Sequence, residues 1–298
     1  MTKEVTLHFS KPGLLTTVQD QGRLGYQAFG VPQAGVLDMS SAQLANEILQ
    51  NPASTPVLEI TLMGPVITFS GRCQIALCGA DLSPRRNEEP CPMYETVEMA
   101  AGDVLRFGRV VQGCRVYLAI RGVWQLKPWL ESYSYSAQNG EELTPDSKIK
   151  RDSRLRVSPL PYVAKRIYSE RERPSYPNTQ KIRVLAGPEF EDFSNYVIGH
   201  FFSNNFTITA ESNRMGYRLA EGLRDFIPKK EVISSGIVPG TIQVTNAGLP
   251  IVLLADAQTS GGYPRLANVL RDDLAKMAQL KPGDKVQFSL VAPDGMNN

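Results

Sequence analysis

A mainly β fold with a few helices, arranged as two β-domains related by internal duplication, is what this sequence predicts. Two observations carry that expectation. Short β-rich runs dominate the chain between Gly, Pro, Asn and Asp residues, and two strings recur in the same order in each half. The runs at 66–69, 74–77, 104–107, 115–120, 182–185, 206–209, 251–254 and 285–290 carry β-branched, aromatic and aliphatic side chains punctuated by turn-formers, as in antiparallel barrels or sandwiches. Three helices are expected beside them: 40–50 with Leu44 and Ile48, 191–202 with Phe193, Val197 and Ile198, and 266–280. In the last of these, Leu266, Val269, Leu270, Leu274, Met277 and Ala278 recur at helical spacing and are expected to face the core.

The duplication is read from two echoes. Arg23-Leu24-Gly25-Tyr26 returns as Arg214-Met215-Gly216-Tyr217, and Ala101-Gly102-Asp103-Val104-Leu105-Arg106-Phe107 returns as Pro282-Gly283-Asp284-Lys285-Val286-Gln287-Phe288. In each half an R-x-G-Y element precedes a G-D turn that launches a strand ending in Phe. The expected division is a first β-domain over 1–130, a connection over 131–180 partly packed on the barrels, and a second β-domain over 181–298. The polar stretch with Pro145, Pro159, Pro161, Pro174 and Pro177 marks the connection.

Composition excludes several function classes. With 42% hydrophobic and 21% charged residues the chain has the profile of a globular protein. The balance of 32 Lys plus Arg against 30 Asp plus Glu, a net charge of +2, gives no electrostatic reason to bind nucleic acid or acidic membranes. Met1-Thr2-Lys3-Glu4-Val5 does not resemble a leader, and no apolar run approaches the roughly 18 residues of a membrane span, so a cytoplasmic location is expected. Cys73, Cys78, Cys91 and Cys114 lack C-x-x-C spacing, and His8 and His200 are the only histidines. No metal site is expected, and buried free thiols are preferred to disulfides.

Two polar clusters stand out. The first runs from Thr16 through Gln19, Asp20, Gly22, Arg23, Gly25 and Tyr26 to Gly35 and Asp38. Its glycines imply tight turns, while an amide, two carboxylates and a guanidinium suit recognition of a carboxylate or cyclic amide. Alternatively, Asp20 and Arg23 only cap turns or pair with each other. The second cluster joins Arg214, Gln243 and the stretch Asp256-Ala257-Gln258-Thr259-Ser260-Gly261-Gly262-Tyr263. There an apolar strand delivers polar groups to a Gly-Gly turn whose N–H groups can hold an anionic oxygen, unless the glycines serve only a hairpin with positive φ.

The strings Thr17-Val18-Gln19-Asp20-x-Gly22-Arg23-x-Gly25-Tyr26, Gly30-Val31-Pro32-x-x-Gly35-x-x-Asp38, Leu58-Glu59-Ile60-Thr61-x-x-Gly64-Pro65, Ser212-x-Arg214-Met215-Gly216-x-Arg218-Leu219, Pro239-Gly240-x-Ile242-Gln243 and Asp256-x-Gln258-Thr259-x-Gly261-Gly262-Tyr263 resemble those of the family of KipA, allophanate hydrolase subunit 2 and the C subunit of 5-oxoprolinase. The resemblance spans nearly the whole chain and implies two cyclophilin-like β-barrel domains, like the carboxyltransferase portion of urea carboxylase. It also implies one component of a complex that pairs with a KipI-like partner and a LamB/YcsF-like partner, opens 5-oxoproline to glutamate at the expense of ATP, and is inactive alone. The chain departs from the family pattern at 131–143, and Asn213 stands where the family usually has Asp.

No G-x-x-x-x-G-K-[ST] string is present, consistent with nucleotide chemistry lying partly or wholly elsewhere in a complex. No biotin-attachment segment is present either, so any biotin would come from another protein. On this reading Gln19, Arg23, Tyr26, Arg214, Gln243, Thr259, Gly261, Gly262 and Tyr263 bind a small amide substrate, and Asp20, Asp38 and Asp256 transfer protons or orient the arginines. Two other readings are a KipA-like regulator that antagonises a KipI-like kinase inhibitor, and a carboxyltransferase component acting on urea or a related amide.

Overall fold

The computed structural model describes residues 4–138, 141–227 and 232–292. Met1 to Lys3, read above for a leader, and Asn139 and Gly140 of the segment departing from the family pattern lie outside the described residues. The chain folds as two units, residues 1–23 with 34–176 and residues 24–33 with 177–298. The fold is mainly β with three helices among the described residues, and its sheets curl into half-barrels.

In the first unit β1 (Val5–Lys11), β2 (Leu15–Gln19), α1 (Met39–Ile48), β3 (Val57–Thr61), β4 (Val66–Phe69) and β5 (Cys73–Asp81) precede the short β6 (Arg85–Arg86) and β7 (Glu89–Pro90). Next come β8 (Val97–Met99), β9 (Val104–Arg106), β10 (Gln112–Ile120), β11 (Gly122–Trp124), the paired β12 (Ala137–Gln138) and β13 (Glu141–Glu142), and β14 (Ser153–Pro159). Seven strands order as β11-β14-β1-β4-β9-β6-β7 and five as β2-β3-β10-β5-β8. β1 shows period-2 burial, with Val5, Leu7 and Phe9 in the core between partly exposed Thr6, His8 and Ser10. β5 and β10 are buried on both faces and so read as continuous apolar runs. One face joins the main core; onto the other, Ala76, Cys78, Tyr117 and Ala119, α1 lays Ala42, Ala45 and Ile48.

The second unit holds β15 (Thr179–Ala186), α2 (Asn195–Ser203), β16 (Asn205–Thr207), β17 (Gly216–Arg218), β18 (Ser235–Gly236) and β19 (Thr241–Val244). It continues with β20 (Pro250–Leu253), β21 (Ser260–Gly261), β22 (Arg265–Val269), α3 (Leu274–Ala278) and β23 (Lys285–Leu290). Its main sheet orders as β16-β23-β15-β22-β19-β20-β17, and β18 pairs with β21 in a separate ribbon. α2 starts at the Ser194 cap, whose hydroxyl accepts from Val197 N at 3.3 Å, and stacks Phe201 on Phe288 of β23 at 4.8 Å.

The G-D echo is reproduced in bond-by-bond detail. Gly102 and Gly283 both take φ +89°, a left-handed conformation that favours glycine. Their N–H groups donate to Phe69 O at 2.8 Å and Ile208 O at 2.9 Å, while Phe69 N and Ile208 N donate back to Asp103 O and Asp284 O. Each aspartate carboxylate then accepts the backbone N–H three residues earlier, from Ala100 at 2.9 Å and from Lys281 at 3.1 Å. The R-x-G-Y echo does not extend to the backbone: Gly25 has φ +88°, whereas Gly216 lies in β17 with its neighbour Tyr217 buried.

Two expectations are corrected. The helix expected over 266–280 is a strand, β22, followed by a 3-10 turn and the five-residue α3. β22 is bonded on both edges, to β15 and β19, and sheet pairing overrides an apolar spacing that fits either structure. The expected connection 131–180 belongs largely to the first unit, because β14 pairs with β1 and β11 and buries Leu155 and Val157 in the core. Its prolines misled: Pro159 ends β14 beyond the strand's last pairing with β1 at Val157, so one edge there needs no N–H.

All four cysteines are free and buried. Burial pushes the Cys73 thiol up to about 12 and the Cys91 thiol up to about 11, and raises Cys78 as well. A thiol titration with a disulfide reagent at pH 8 is expected to find these three groups unreactive in the native protein and reactive in denaturant; rapid native labelling would contradict their burial.

Asp273, buried at the start of α3, accepts from Arg183 N at 2.8 Å, Arg183 Nε at 3.1 Å and Lys276 Nζ at 2.9 Å. Burial alone raises its pKa, but the bonds from Arg183 and Lys276 outweigh it and hold the carboxyl at about 2. A depressed carboxyl stabilises the fold above its unfolded pKa of about 4, and that contribution is lost as pH falls toward 2. Asp273→Asn is expected to cost about 1.5–3 kcal/mol in urea unfolding at pH 7, and progressively less below pH 4. An equal cost at pH 7 and pH 3 would contradict this.

Candidate functional site

The first-unit residues of the sequence-defined site are tied into the protein itself. Arg23 is 1% exposed, and its guanidinium donates to Trp129 O at 3.1 Å, to Ser134 O and to Thr144 Oγ1. It also lies over the Trp129 ring at 4.7 Å. The Asp20 carboxylate accepts from Gly22 N at 2.8 Å, Ser132 Oγ at 2.6 Å, Tyr133 N at 2.7 Å and Ser134 Oγ at 2.6 Å. Asp20 caps the turn at Gly22, as the structural alternative allowed, and beyond that both side chains bind the segment 129–144. Gln19 is fully buried at the end of β2, with Nε2 donating to Thr17 Oγ1 at 3.0 Å and Oε1 lacking a hydrogen-bond partner among the described residues.

Asp38 is the N-cap of α1. Its carboxylate accepts from Ser41 N at 2.9 Å and Ser41 Oγ at 2.7 Å. Its own N–H donates to Tyr117 Oη at 2.8 Å, and Tyr117 in turn donates to Glu59 Oε2 at 2.9 Å. Leu37 N also donates to Glu59 at 2.9 Å, and Arg115 lies 3.5 Å from Glu59 Oε1. Burial, reinforced by the Glu59 and Asp38 carboxylates, raises the Tyr117 pKa well above its ordinary value. The proton-transfer role expected for Asp38 meets a side chain 1% exposed and already engaged in capping. Glu59 belongs to one of the family strings, and Arg115 and Tyr117 to a run read as a strand, but none of the three was assigned to the site from sequence.

The second unit holds a cleft of about 560 Å³; of the residues assigned to the site from sequence, Thr259 lines it, and Arg214, Gln243, Asp256, Gly261, Gly262 and Tyr263 are not among its lining residues. It is lined by three stretches of chain: Gln27, Ala28, Pro32 and Gln33; Gly236 to Pro239; and Leu254, Ala255, Ala257, Gln258 and Thr259. The β18–β21 ribbon is held in place by side chains from the main sheet. Arg265 of β22 donates Nη1 to Gly236 O at 3.0 Å, and Gln243 of β19 donates Nε2 to Tyr263 O at 3.2 Å. Arg265 is itself clamped by Glu189 through bonds of 2.8 and 2.6 Å, and hydrogen bonding to Arg265 keeps the Glu189 carboxyl below its ordinary range.

Asp256, between lining residues Ala255 and Ala257, is paired bidentately with the buried Arg214 at 2.8 and 2.9 Å. Thr259 lines the cleft, and its carbonyl accepts from Ile237 N at 2.9 Å. Tyr26 sits at the start of the short turn that carries Gln27 and Ala28, and its carbonyl accepts from Phe29 N at 3.0 Å. Gly261 and Gly262 do not adopt positive φ, so the hairpin explanation for them fails. A Cβ on Gly261 would stand 2.6 Å from Ile237 Cδ1 and 2.9 Å from Gln243 Nε2; glycine is needed for close approach.

Gln258 stands in the second polar cluster of the sequence, whereas Gln27 and Gln33 were not assigned to the site, since a glutamine in a loop carries no pattern of its own. A smaller cleft of about 310 Å³ in the first unit is lined by Arg86, Glu95, Glu98 and Lys165 among others. Its Lys165 is paired with Glu95 at 2.9 Å and its Arg86 donates to Glu98 O at 2.7 Å. Among the described residues no cluster of three or more His, Cys, Asp or Glu side chains is placed to hold a metal, and no helix is long and apolar enough to cross a membrane.

Arg23→Ala is expected to destabilise the first unit by about 3–5 kcal/mol, because it strands buried acceptors and leaves a void. Arg23→Lys is expected to recover only part of that loss, since one ammonium cannot match the planar fork or the indole stack. Chemical unfolding followed by tryptophan fluorescence checks both; wild-type stability in Arg23→Ala would return the residue to ligand binding.

Residues 29–290 match the model of the family described as carboxyltransferase domain, subdomain A and B. The chain is 34% identical to the C subunit of 5-oxoprolinase from Escherichia coli K12, covering 95% of this chain and 90% of that protein. It is 31% identical to the urea amidolyase of Saccharomyces cerevisiae S288c, over 96% of this chain and 16% of that protein. Among solved structures, the Kluyveromyces lactis urea amidolyase superposes with a TM-score of 0.87 at 30% identity, over 96% of this chain and 19% of that one. TTHA0988 superposes with a TM-score of 0.82 at 30% identity, over 95% of this chain and 55% of that one. The chain thus spans about half the length of the TTHA0988 chain, and less than a fifth of the urea amidolyases.

Proposed function

We propose, from the premise that this chain belongs to the carboxyltransferase-domain family of subdomains A and B, that it works as the C subunit of an ATP-dependent 5-oxoprolinase and is not active alone. The reaction adds water across the lactam C–N bond, the carbonyl carbon gaining an oxygen and the nitrogen a proton, with ATP hydrolysis driving the ring opening. The observation that carries this reading is the second-unit cleft. Its lining combines three carboxamides and a hydroxyl with apolar side chains, a surface suited to binding an amide.

The same cleft supplies binding rather than chemistry. Among the described residues none that lines it is ionisable, and the adjoining Asp256 is committed to Arg214. Acid–base catalysis and nucleotide use then fall to two partners, one KipI-like and one LamB/YcsF-like, in the cytoplasm. The lack of a P-loop string supports placing ATP on another chain. Covalently bound cofactor is not part of this role, and biotin would enter only on another protein.

A second reading, a carboxyltransferase component acting on urea or a related amide, is favoured by the likeness to the urea amidolyases. Reconstitution separates the two. The chain mixed with its own KipI-like and LamB/YcsF-like partners is expected to give 5-oxoproline-dependent ATP hydrolysis and glutamate release that vanish when any one component is omitted. Turnover of urea with a biotin carrier, and none of 5-oxoproline with the two partners, would transfer the assignment to carboxyl transfer.

A further inference from the structure

We infer that the second-unit cleft selects the uncharged amide portion of its ligand and is indifferent to ligand charge, so that a ligand carboxylate remains outside it. The inference rests on reading this cleft as the amide site. Its polar lining consists of Gln27, Gln33, Gln258, Thr259 and backbone groups, and no ionisable side chain among the described residues lines it. Gln27 is partly engaged, its Oε1 accepting from Gly25 N at 3.2 Å, whereas the carboxamides of Gln33 and Gln258 make no hydrogen bond among the described residues.

A carboxamide carries an acceptor and a donor side by side. It is complementary to a lactam, whose C=O and N–H lie on the same edge and can be met by two parallel hydrogen bonds. The apolar remainder, including Ile237, Pro239 and Leu254, fits the ring methylenes.

Among the described residues a carboxylate finds no such partner in the cleft. Arg214 is bound to Asp256 and Arg265 to Glu189 and to Gly236 O. Bringing an ionised group into the cleft would therefore cost its hydration without a matching cation. In a working complex the ligand enters amide-first, and another chain meets the charge.

The test uses the full chain alone, with ligand-observed saturation-transfer NMR titrations of 2-pyrrolidinone, 5-oxoproline and cyclopentanecarboxylate at low and high salt. The two lactams are expected to bind within roughly threefold of each other, with no salt dependence, and the amide-free carboxylate not to bind saturably. Gln258→Leu combined with Thr259→Val is expected to weaken both lactams by about tenfold and by the same factor. Gln258 is exposed and the Thr259 carbonyl bond to Ile237 is untouched, so the double variant is expected to keep the wild-type circular dichroism spectrum.

Binding of 5-oxoproline at least about tenfold tighter than 2-pyrrolidinone, or screened by salt, would overturn the inference, as would absence of lactam binding or binding unchanged in the double variant. Its failure is distinguishable from failure of the functional reading. An active reconstituted complex with charge-sensitive binding removes only the inference, and an inactive complex with charge-blind lactam binding removes only the 5-oxoprolinase role.

Discussion

The burial of Arg23 is the constraint on which the first unit depends. A guanidinium that never loses its charge has been taken out of water, and the cost is met only if its donors find acceptors. Those acceptors are carbonyl and hydroxyl oxygens of the segment 129–144, which folds against Arg23 while Asp20, three residues earlier, collects two serine hydroxyls and two backbone N–H groups. The pair thus makes a polar, proline-bearing stretch part of the first unit and leads it into β14, the strand between β1 and β11. Ser132 and Ser134, in the stretch that departs from the family pattern, are bound to Asp20, so the departure coexists with a closed network.

The second unit solves a different problem: holding open a cleft whose wall is a ribbon of two-residue strands. Such a ribbon has little stability of its own. Arg265 reaches from the main sheet to the ribbon's Gly236 carbonyl and Gln243, on the adjacent strand, to the Tyr263 carbonyl just past the ribbon, while Glu189 holds the arginine in place. Side chains on a packed sheet are better supports than loop residues, because their own rotamers are held by their neighbours. The resulting surface is mostly apolar and carries no ionisable side chain among the described residues, which on the proposed reading suits recognition of an amide.

The candidate site was only partly legible in the sequence. Thr259, the neighbouring Gln258 and the Gly261-Gly262 pair were visible as polar and glycine residues at the end of an apolar strand, and they do border or support the cleft. The arginines and aspartates drew attention for their charge, yet Arg23, Asp20 and Asp38 serve the interior and Asp256 is neutralised by Arg214. Charge type states what a side chain can do, but not whether the fold has already supplied its partner. Gln27 and Gln33 reach the cleft because residues 24–33 fold with the second unit, a long-range event with no local signature.

By itself the sequence determined the β-rich character, the two-part organisation and the repeated G-D turns, because alternation, glycine conformational freedom and a carboxylate three residues from its N–H partner are local properties. Tertiary structure decided that 265–269 is a strand, that 153–159 belongs to the first unit and that the strongest charges are internal fasteners. Each of those outcomes turns on which backbone or side-chain partner arrives from far along the chain. Pairing energy of that kind, absent from any local window, overrides periodicity and propensity wherever they leave two structures nearly equal.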